Sequence, residues 1–171
     1  IPPPPRWVPQ SFLSQVLKRS ELPEEVSVLD RDLVARIGHA FESHPWVGSA
    51  VRVRLTIPAR VEVTFEYRQP TAMIAINDGF YPVDADGLLL PPDDFPLKEV
   101  PLYPRVVGIG APPSGLVGEK WGDERVTAAA RLAHVLAPHW EAFQLDAIEA
   151  PKRETAEQKY EDLQFVLLAK G

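Results

Sequence analysis

Cysteine is absent from this chain of 171 residues, which excludes disulfides, thiolate catalysis and cysteine-ligated zinc or iron–sulfur sites. Clusters of basic residues are also absent: 24 acidic residues outnumber 18 basic ones, and the net charge is −6. Because nucleic-acid binding requires a concentrated positive surface, we do not expect a nucleic-acid partner. No apolar run reaches the ~20 residues that a membrane-spanning helix needs.

Proline is the abundant residue, with 19 copies. Pro2 to Pro5 lie in a short start, residues 1–8, that we interpret as an extended spacer. The other prolines interrupt the chain and favour short strands joined by loops. An apolar content of 45% with 25% charged residues is typical of an ordinary globular protein.

Two amphipathic segments predict helices in the first part of the chain. Residues 9–19 place apolar side chains on one helical face, at Phe12, Leu13, Val16 and Leu17. Asp30 is a suitable N-cap for a second helix over residues 31–43, and Pro45 prevents its continuation. Apolar and polar residues then alternate over 51–57 and 60–67, which predicts two antiparallel strands with one wet face.

Residues 71–171 predict a second domain that is mainly antiparallel β structure with one or two helices. Asp123 would cap its clearest helix, over 124–137. The candidate strands are Met73–Ile76, Phe80–Val83, Leu88–Leu90, Val106–Ile109, Phe143–Ile148 and Leu163–Ala169. The fold class is therefore α+β, with a helix–helix–strand–strand unit over 9–70 followed by a β domain over 71–171.

No residue pattern in the chain indicates catalysis or a metal. The histidines of each close pair, His39 with His44 and His134 with His139, are five apart, whereas helical metal ligands are three or four apart. Surface or helix-end histidines explain them better. Asp84-Ala-Asp86-Gly87 lacks the later ligands of a calcium loop and predicts a turn. Prolines follow Gly108-Ile-Gly110, which excludes a dinucleotide loop. We expect no cofactor and no enzyme activity.

Several short motifs follow one another in the order found in a known family. They are Pro45-Trp46-Val47 after the second helix, Val53-Arg54 followed by Pro58, Arg68-x-Pro70-x-Ala72, and Val83-Asp84-x-Asp86-Gly87. With the helix–helix–strand–strand order, they resemble FtsQ/DivIB, a family of bacterial cell-division proteins with a POTRA domain followed by a β domain. The POTRA-like unit lacks its first strand, unless Arg6–Val8 supplies it. Tyr67 stands where the family usually has Glu, and the interval from Trp46 to Pro58 is one residue longer than in the family. The end looks truncated.

The resemblance implies a non-catalytic scaffold of the divisome, the septation machinery. It implies a single-pass protein of the inner membrane, anchored by an N-terminal helix outside this chain, with the present segment periplasmic. The implied partners are FtsL-like and FtsB/DivIC-like coiled-coil proteins and, through them, the septal peptidoglycan synthase complex.

In the family, the main partner surface lies toward the last strand of the β domain. The corresponding residues here are Leu163, Gln164, Phe165, Val166, Leu167 and Leu168. An exposed strand edge offers unpaired backbone groups to a partner strand. An ordinary core strand is the other interpretation of this apolar run.

Two other classes of function remain open from the sequence. POTRA-type units also act as chaperones or receptors in polypeptide transport and outer-membrane assembly, where they normally occur as repeats or before a β-barrel. A ligand-binding accessory domain outside the cytoplasm is the second alternative.

Overall fold

The computed structural model describes residues 1–19, 30, 32–49, 51–56, 60–77, 79–152 and 164–171. The chain forms two compact units: unit 1, Ile1–Arg68, and unit 2, Gln69–Gly171. The α+β class is confirmed, because two helices and a two-stranded sheet precede a five-stranded sheet with a helix.

Unit 1 contains α1 (Phe12–Arg19), α2 (Leu33–Glu42), β1 (Arg52–Thr56) and β2 (Arg60–Thr64). The predicted order helix–helix–strand–strand is confirmed. β1 and β2 pair antiparallel, with Val53 opposite Val63. The predicted cap is wrong by two residues: Asp32 is the N-cap of α2, and Asp30 Oδ1 accepts a hydrogen bond from the Asp32 N–H at 2.9 Å instead.

Residues 1–8, for which the sequence predicts a spacer, belong to unit 1 and contact it. The Trp7 indole N–H donates to the Arg68 carbonyl at 3.0 Å, and the Tyr67 hydroxyl donates to the Pro2 carbonyl at 3.2 Å. Val8 is buried. In each of these two bonds the donor and the acceptor are more than 60 residues apart in the chain, so local sequence does not reveal the contacts.

Unit 2 contains β3 (Ala72–Ile76), β4 (Gly79–Val83), β5 (Arg105–Val107), α3 (Glu124–Leu136), β6 (Leu145–Glu149) and β7 (Val166–Ala169). Short 3₁₀ helices cover Leu97–Leu102 and Ala137–His139. The strand order is β4-β3-β5-β6-β7. The two outer pairs are antiparallel, as the sequence predicts, but the two inner pairs are parallel. α3 forms the crossover between the parallel strands β5 and β6, and β4 with the 3₁₀ helix Leu97–Leu102 separates the parallel strands β3 and β5 in the chain.

The core of unit 2 lies between α3 and one face of this sheet. The predicted Asp123 cap is confirmed: its Oδ1 accepts from the Arg125 N–H at 2.9 Å. The buried helix residues are Val126, Ala129, Ala130 and Ala133. They belong to one cluster with Ile74, Val106 and Ile148 of the sheet. Within the residues that the structure describes, no helix is long and apolar enough to span a membrane.

Candidate partner-binding edge of the five-stranded sheet

β7 is an edge strand of the five-stranded sheet. It pairs antiparallel with β6, and among the described residues no strand pairs with its other side. The register sets Ile148 opposite Leu167 and Glu149 opposite Val166, and a bulge interrupts the ladder between Leu145 and Ala147. The predicted strand Leu163–Ala169 thus includes the last strand of the sheet, and Leu163 itself lies outside the described residues.

Backbone geometry determines which groups of β7 are open to a partner. The Lys170 N–H donates to the Gln144 carbonyl at 2.7 Å, on the side of β6. Because successive backbone groups of a strand point in opposite directions, Leu168 and Val166 also face β6. The N–H and C=O groups of Leu167 and Ala169 therefore lie on the outer side, where an added strand would pair.

The side chains along β7 are apolar, and several of them are exposed. Val166 is 51% exposed and Leu167 43% exposed, and Leu168 is half-buried. Phe165 packs against the core cluster beneath α3, and Gln164 is exposed. Neither proline nor a charged residue lies within 164–169, so two of the usual devices that prevent edge pairing are absent from the strand.

The opposite edge, β4, has a different environment. Val83 forms a bridge with Leu89, and the Leu90 N–H donates to the Pro82 carbonyl at 2.9 Å. Leu88 in turn forms a bridge with Lys120. Residues 88–90, predicted as a full strand, therefore form only isolated bridges, but they cover the end of β4. Pro82 also removes one backbone donor from this edge.

Charged residues surround the end of β7. Lys170 Nζ lies 3.1 Å from Glu141 Oε2, and Arg105 pairs with Asp146 at the bulge. These two cations also line a cavity of about 530 Å³ on the sheet face opposite α3, together with Met73, Phe80, Leu97, Val100, Pro101, Tyr103 and Asp146. The cavity is continuous with the end of β7 through Lys170.

The Pro45-Trp46-Val47 motif forms the corner between α2 and the sheet of unit 1. Trp46 is fully buried and Val47 nearly so. Val47 forms a bridge with Tyr67, and the Arg68 N–H donates to the Trp46 carbonyl at 2.9 Å. Val47 precedes Arg52 by five residues, whereas Tyr67 follows Thr64 by three. Pro58 lies outside the described residues.

The Asp84-x-Asp86-Gly87 motif is a turn, as the sequence predicts. Asp84 Oδ1 accepts from the N–H groups of Asp86 at 2.9 Å and Leu88 at 3.0 Å. Gly87 has φ +73°, and a Cβ there would lie 2.7 Å from Thr127 Oγ1, so a side chain does not fit. Pro70 is buried at the start of unit 2.

His44 lies directly after the C-cap of α2, so it is a helix-end histidine as predicted, but it is not on the surface, because it is only 2% exposed. Its Nε2 lies 3.0 Å from Gln15 Oε1, and its Nδ1 accepts from the Trp46 N–H at 3.3 Å. These contacts fit a neutral ring protonated on Nε2. Burial and, secondarily, the charge of Arg19 lower the pKa of His44 to about 4. The ring serves packing, with Phe12 at 4.8 Å between ring centroids.

Chemical groups for metal binding do not converge in the part of the chain that the structure describes: it contains no cluster of three or more His, Asp or Glu residues suited to a metal ion. A scan against protein-family models and a search of curated proteins find no match to this chain.

Proposed function

We propose that this chain is a non-catalytic scaffold of the FtsQ/DivIB type, which binds other division proteins outside the cytoplasm through β7. The observation that carries the proposal is the outer side of β7, with which no strand of the described residues pairs, and its exposed Val166 and Leu167. The sequence motifs that resemble the family supply the choice of partner. An FtsB/DivIC-like protein would add an extended segment to the Leu167 and Ala169 backbone.

A matched pair of substitutions tests this proposal. Leu167 and Phe80 are exposed to a similar degree, 43% and 41%, on the two opposite edges of one sheet. We expect Leu167→Asp to weaken binding to the FtsB/DivIC-like protein of the same cell at least about tenfold, because a charge would be buried beside the added strand. Phe80→Asp should leave the affinity unchanged. The affinities are measured by titration calorimetry on the membrane-anchored full-length protein.

A backbone variant separates strand addition from a simple side-chain contact. Leu167→Pro removes an outward N–H that β6 does not use, so the sheet should persist while binding falls by roughly tenfold. Hydrogen exchange should show that the partner protects the Ala169 amide. Equal affinities for the Leu167 and Phe80 variants, with both folded, would remove β7 from the proposal.

A further inference from the structure

The proline-rich start of the chain, residues 1–5, packs against the rest of unit 1 with a regular pattern of burial. Each of residues 1–4 precedes a proline, which restricts it to extended or polyproline II backbone. Pro2 and Pro5 are half-buried, whereas Pro3 and Pro4 are exposed. A spacing of three residues is one turn of a polyproline II helix, so one side of this helix faces the protein. A turn then closes at Val8, whose N–H donates to the Pro5 carbonyl at 3.0 Å.

Tyr67 provides the polar contact to this segment. Its hydroxyl donates to the Pro2 carbonyl at 3.2 Å. Backbone carbonyls of a polyproline II helix have no internal partners, and aromatic residues with a hydrogen-bond donor are the usual means of recognising it. A phenol is neutral and can donate at neutral pH, and burial raises the pKa of Tyr67 further.

Tyr67 is also held by contacts that do not involve the proline segment. Its ring makes edge contacts with Phe65 at 4.8 Å and Phe12 at 5.3 Å between centroids. Its backbone forms the bridge with Val47. The donor is therefore preorganised, which lowers the entropic cost of recognition.

An apolar groove of about 390 Å³ lies beside this contact, between α1, α2 and β2. Its exposed members are Ile1, Leu13, Leu17 and Val61, each between 39% and 51% exposed. Ile1 of the segment and Val61 and Val63 of β2 both line the groove. A proline-rich segment with an apolar residue before its first proline matches this surface.

We infer that the Tyr67 surface with this groove is a recognition site for a proline-rich polyproline II segment, and that the chain's own Ile1–Pro5 occupies it in competition with a partner's segment. This inference is independent of the proposed role of β7. It assigns the partner chemistry from the segment that is already bound: an apolar residue followed by P-x-x-P.

Two double substitutions in the full chain test this site with identical changes of charge. Pro2→Asp with Pro5→Asp alters the inward prolines, and Pro3→Asp with Pro4→Asp alters the outward ones. The probe is a fluorescent peptide with the sequence of residues 1–8. An attached segment has an effective concentration on the order of millimolar, so it masks the site from a peptide that binds with a Kd of about 0.1 mM. We expect the inward variant to bind the peptide about tenfold more tightly than the wild type and the outward variant.

Further variants make the result specific. Tyr67→Phe added to the inward variant should weaken peptide binding several-fold, because the Pro2 carbonyl loses its donor. The same peptide with alanine at the four prolines should bind poorly. In the intact chain, the Trp7 indole N–H should exchange faster in the inward variant alone. Equal peptide affinity of the two double variants, no binding to the inward variant, or equal binding of the alanine peptide would overturn the assignment.

Discussion

The buried side chains of the two units differ in kind. Unit 1 is filled by rings, with centroid distances between 4.8 and 6.2 Å, from Phe12, Phe41, His44, Phe65 and Tyr67. The core cluster of unit 2 is mainly aliphatic, with Trp121 as its one buried ring, and three alanines of α3 are fully buried against the sheet. Alanines allow a helix to approach a sheet closely, whereas each ring fills a large volume by itself.

This difference follows from the size of each sheet. A two-stranded sheet offers little area for burial, so unit 1 depends on a few large side chains that bury ~150–250 Å² each. The five strands of unit 2 spread burial over many residues. A single substitution should therefore cost more in unit 1. The four tryptophans report on this comparison, because Trp7 and Trp46 lie in unit 1 and Trp121 and Trp140 in unit 2.

The largest effect is expected for Trp46→Ala. Trp46 is fully buried at the corner between α2 and the sheet. Its loss should lower the free energy of unfolding of unit 1 by roughly 3–5 kcal/mol. Thermal unfolding followed by the indole N–H signals should show the Trp7 signal collapsing at a lower temperature than in the wild type. An unchanged melting temperature would show that the aromatic core does not carry the stability of unit 1.

Acid should destabilise unit 1 through His44. Its pKa is about 4 in the folded chain, against 6.5 for the unperturbed group. The unfolded chain therefore binds the proton at a higher pH, and the free energy of unfolding falls as the pH decreases from about 6.5 to about 4. The total loss is up to about 3 kcal/mol, and below pH 4 this contribution is level. Urea titrations at a series of pH values measure it.

His44→Phe is the control for this pH dependence. It keeps a ring next to Phe12 but cannot be protonated, so the loss of stability between pH 6.5 and 4 should shrink by the His44 contribution. A variant with the same pH slope as the wild type would assign the acid sensitivity to other groups. Readout by the Trp7 signal limits the measurement to unit 1.

Local pattern predicts the elements of both units well. Alternation at Val53 and Val63 predicts β1 and β2, and Asp123 predicts the start of α3, because these signals depend only on nearby residues. The buried His44 was missed because its partner Gln15 is 29 residues away. The packing of the proline-rich start on unit 1 is not predicted, because Tyr67, whose hydroxyl donates to the Pro2 carbonyl, is 65 residues later.

The sequence predicts where the strand β7 lies in the chain, but it does not predict that this strand lies at the edge of the sheet. The apolar run ending at Ala169 predicts a strand, and the same run is compatible with a central or an edge strand. Only the order of strands makes β7 an edge, and that order depends on the parallel pairing of β5 with β6 across α3. Period-two alternation contains no information about which strands become neighbours.

The smallest effect is expected for Trp121→Phe in unit 2. Trp121 is 1% exposed, and its indole N–H finds no hydrogen-bond partner among the described residues. Its backbone bonds, with Gly87 and Ser114, do not involve the ring. Phenylalanine keeps a ring against Tyr81 and removes the unpaired buried donor, an arrangement that costs ~1–3 kcal/mol. This gain offsets the lost contact area, so the free energy of unfolding should change by less than about 1 kcal/mol.

Trp46→Phe is the matched control in unit 1. The Trp46 indole N–H is not among the unpaired buried donors of the described residues, so this substitution should cost more. Chemical denaturation of both variants decides the comparison: equal losses would mean that the two cores tolerate a missing ring alike, and that the aromatic packing of unit 1 is not the more sensitive.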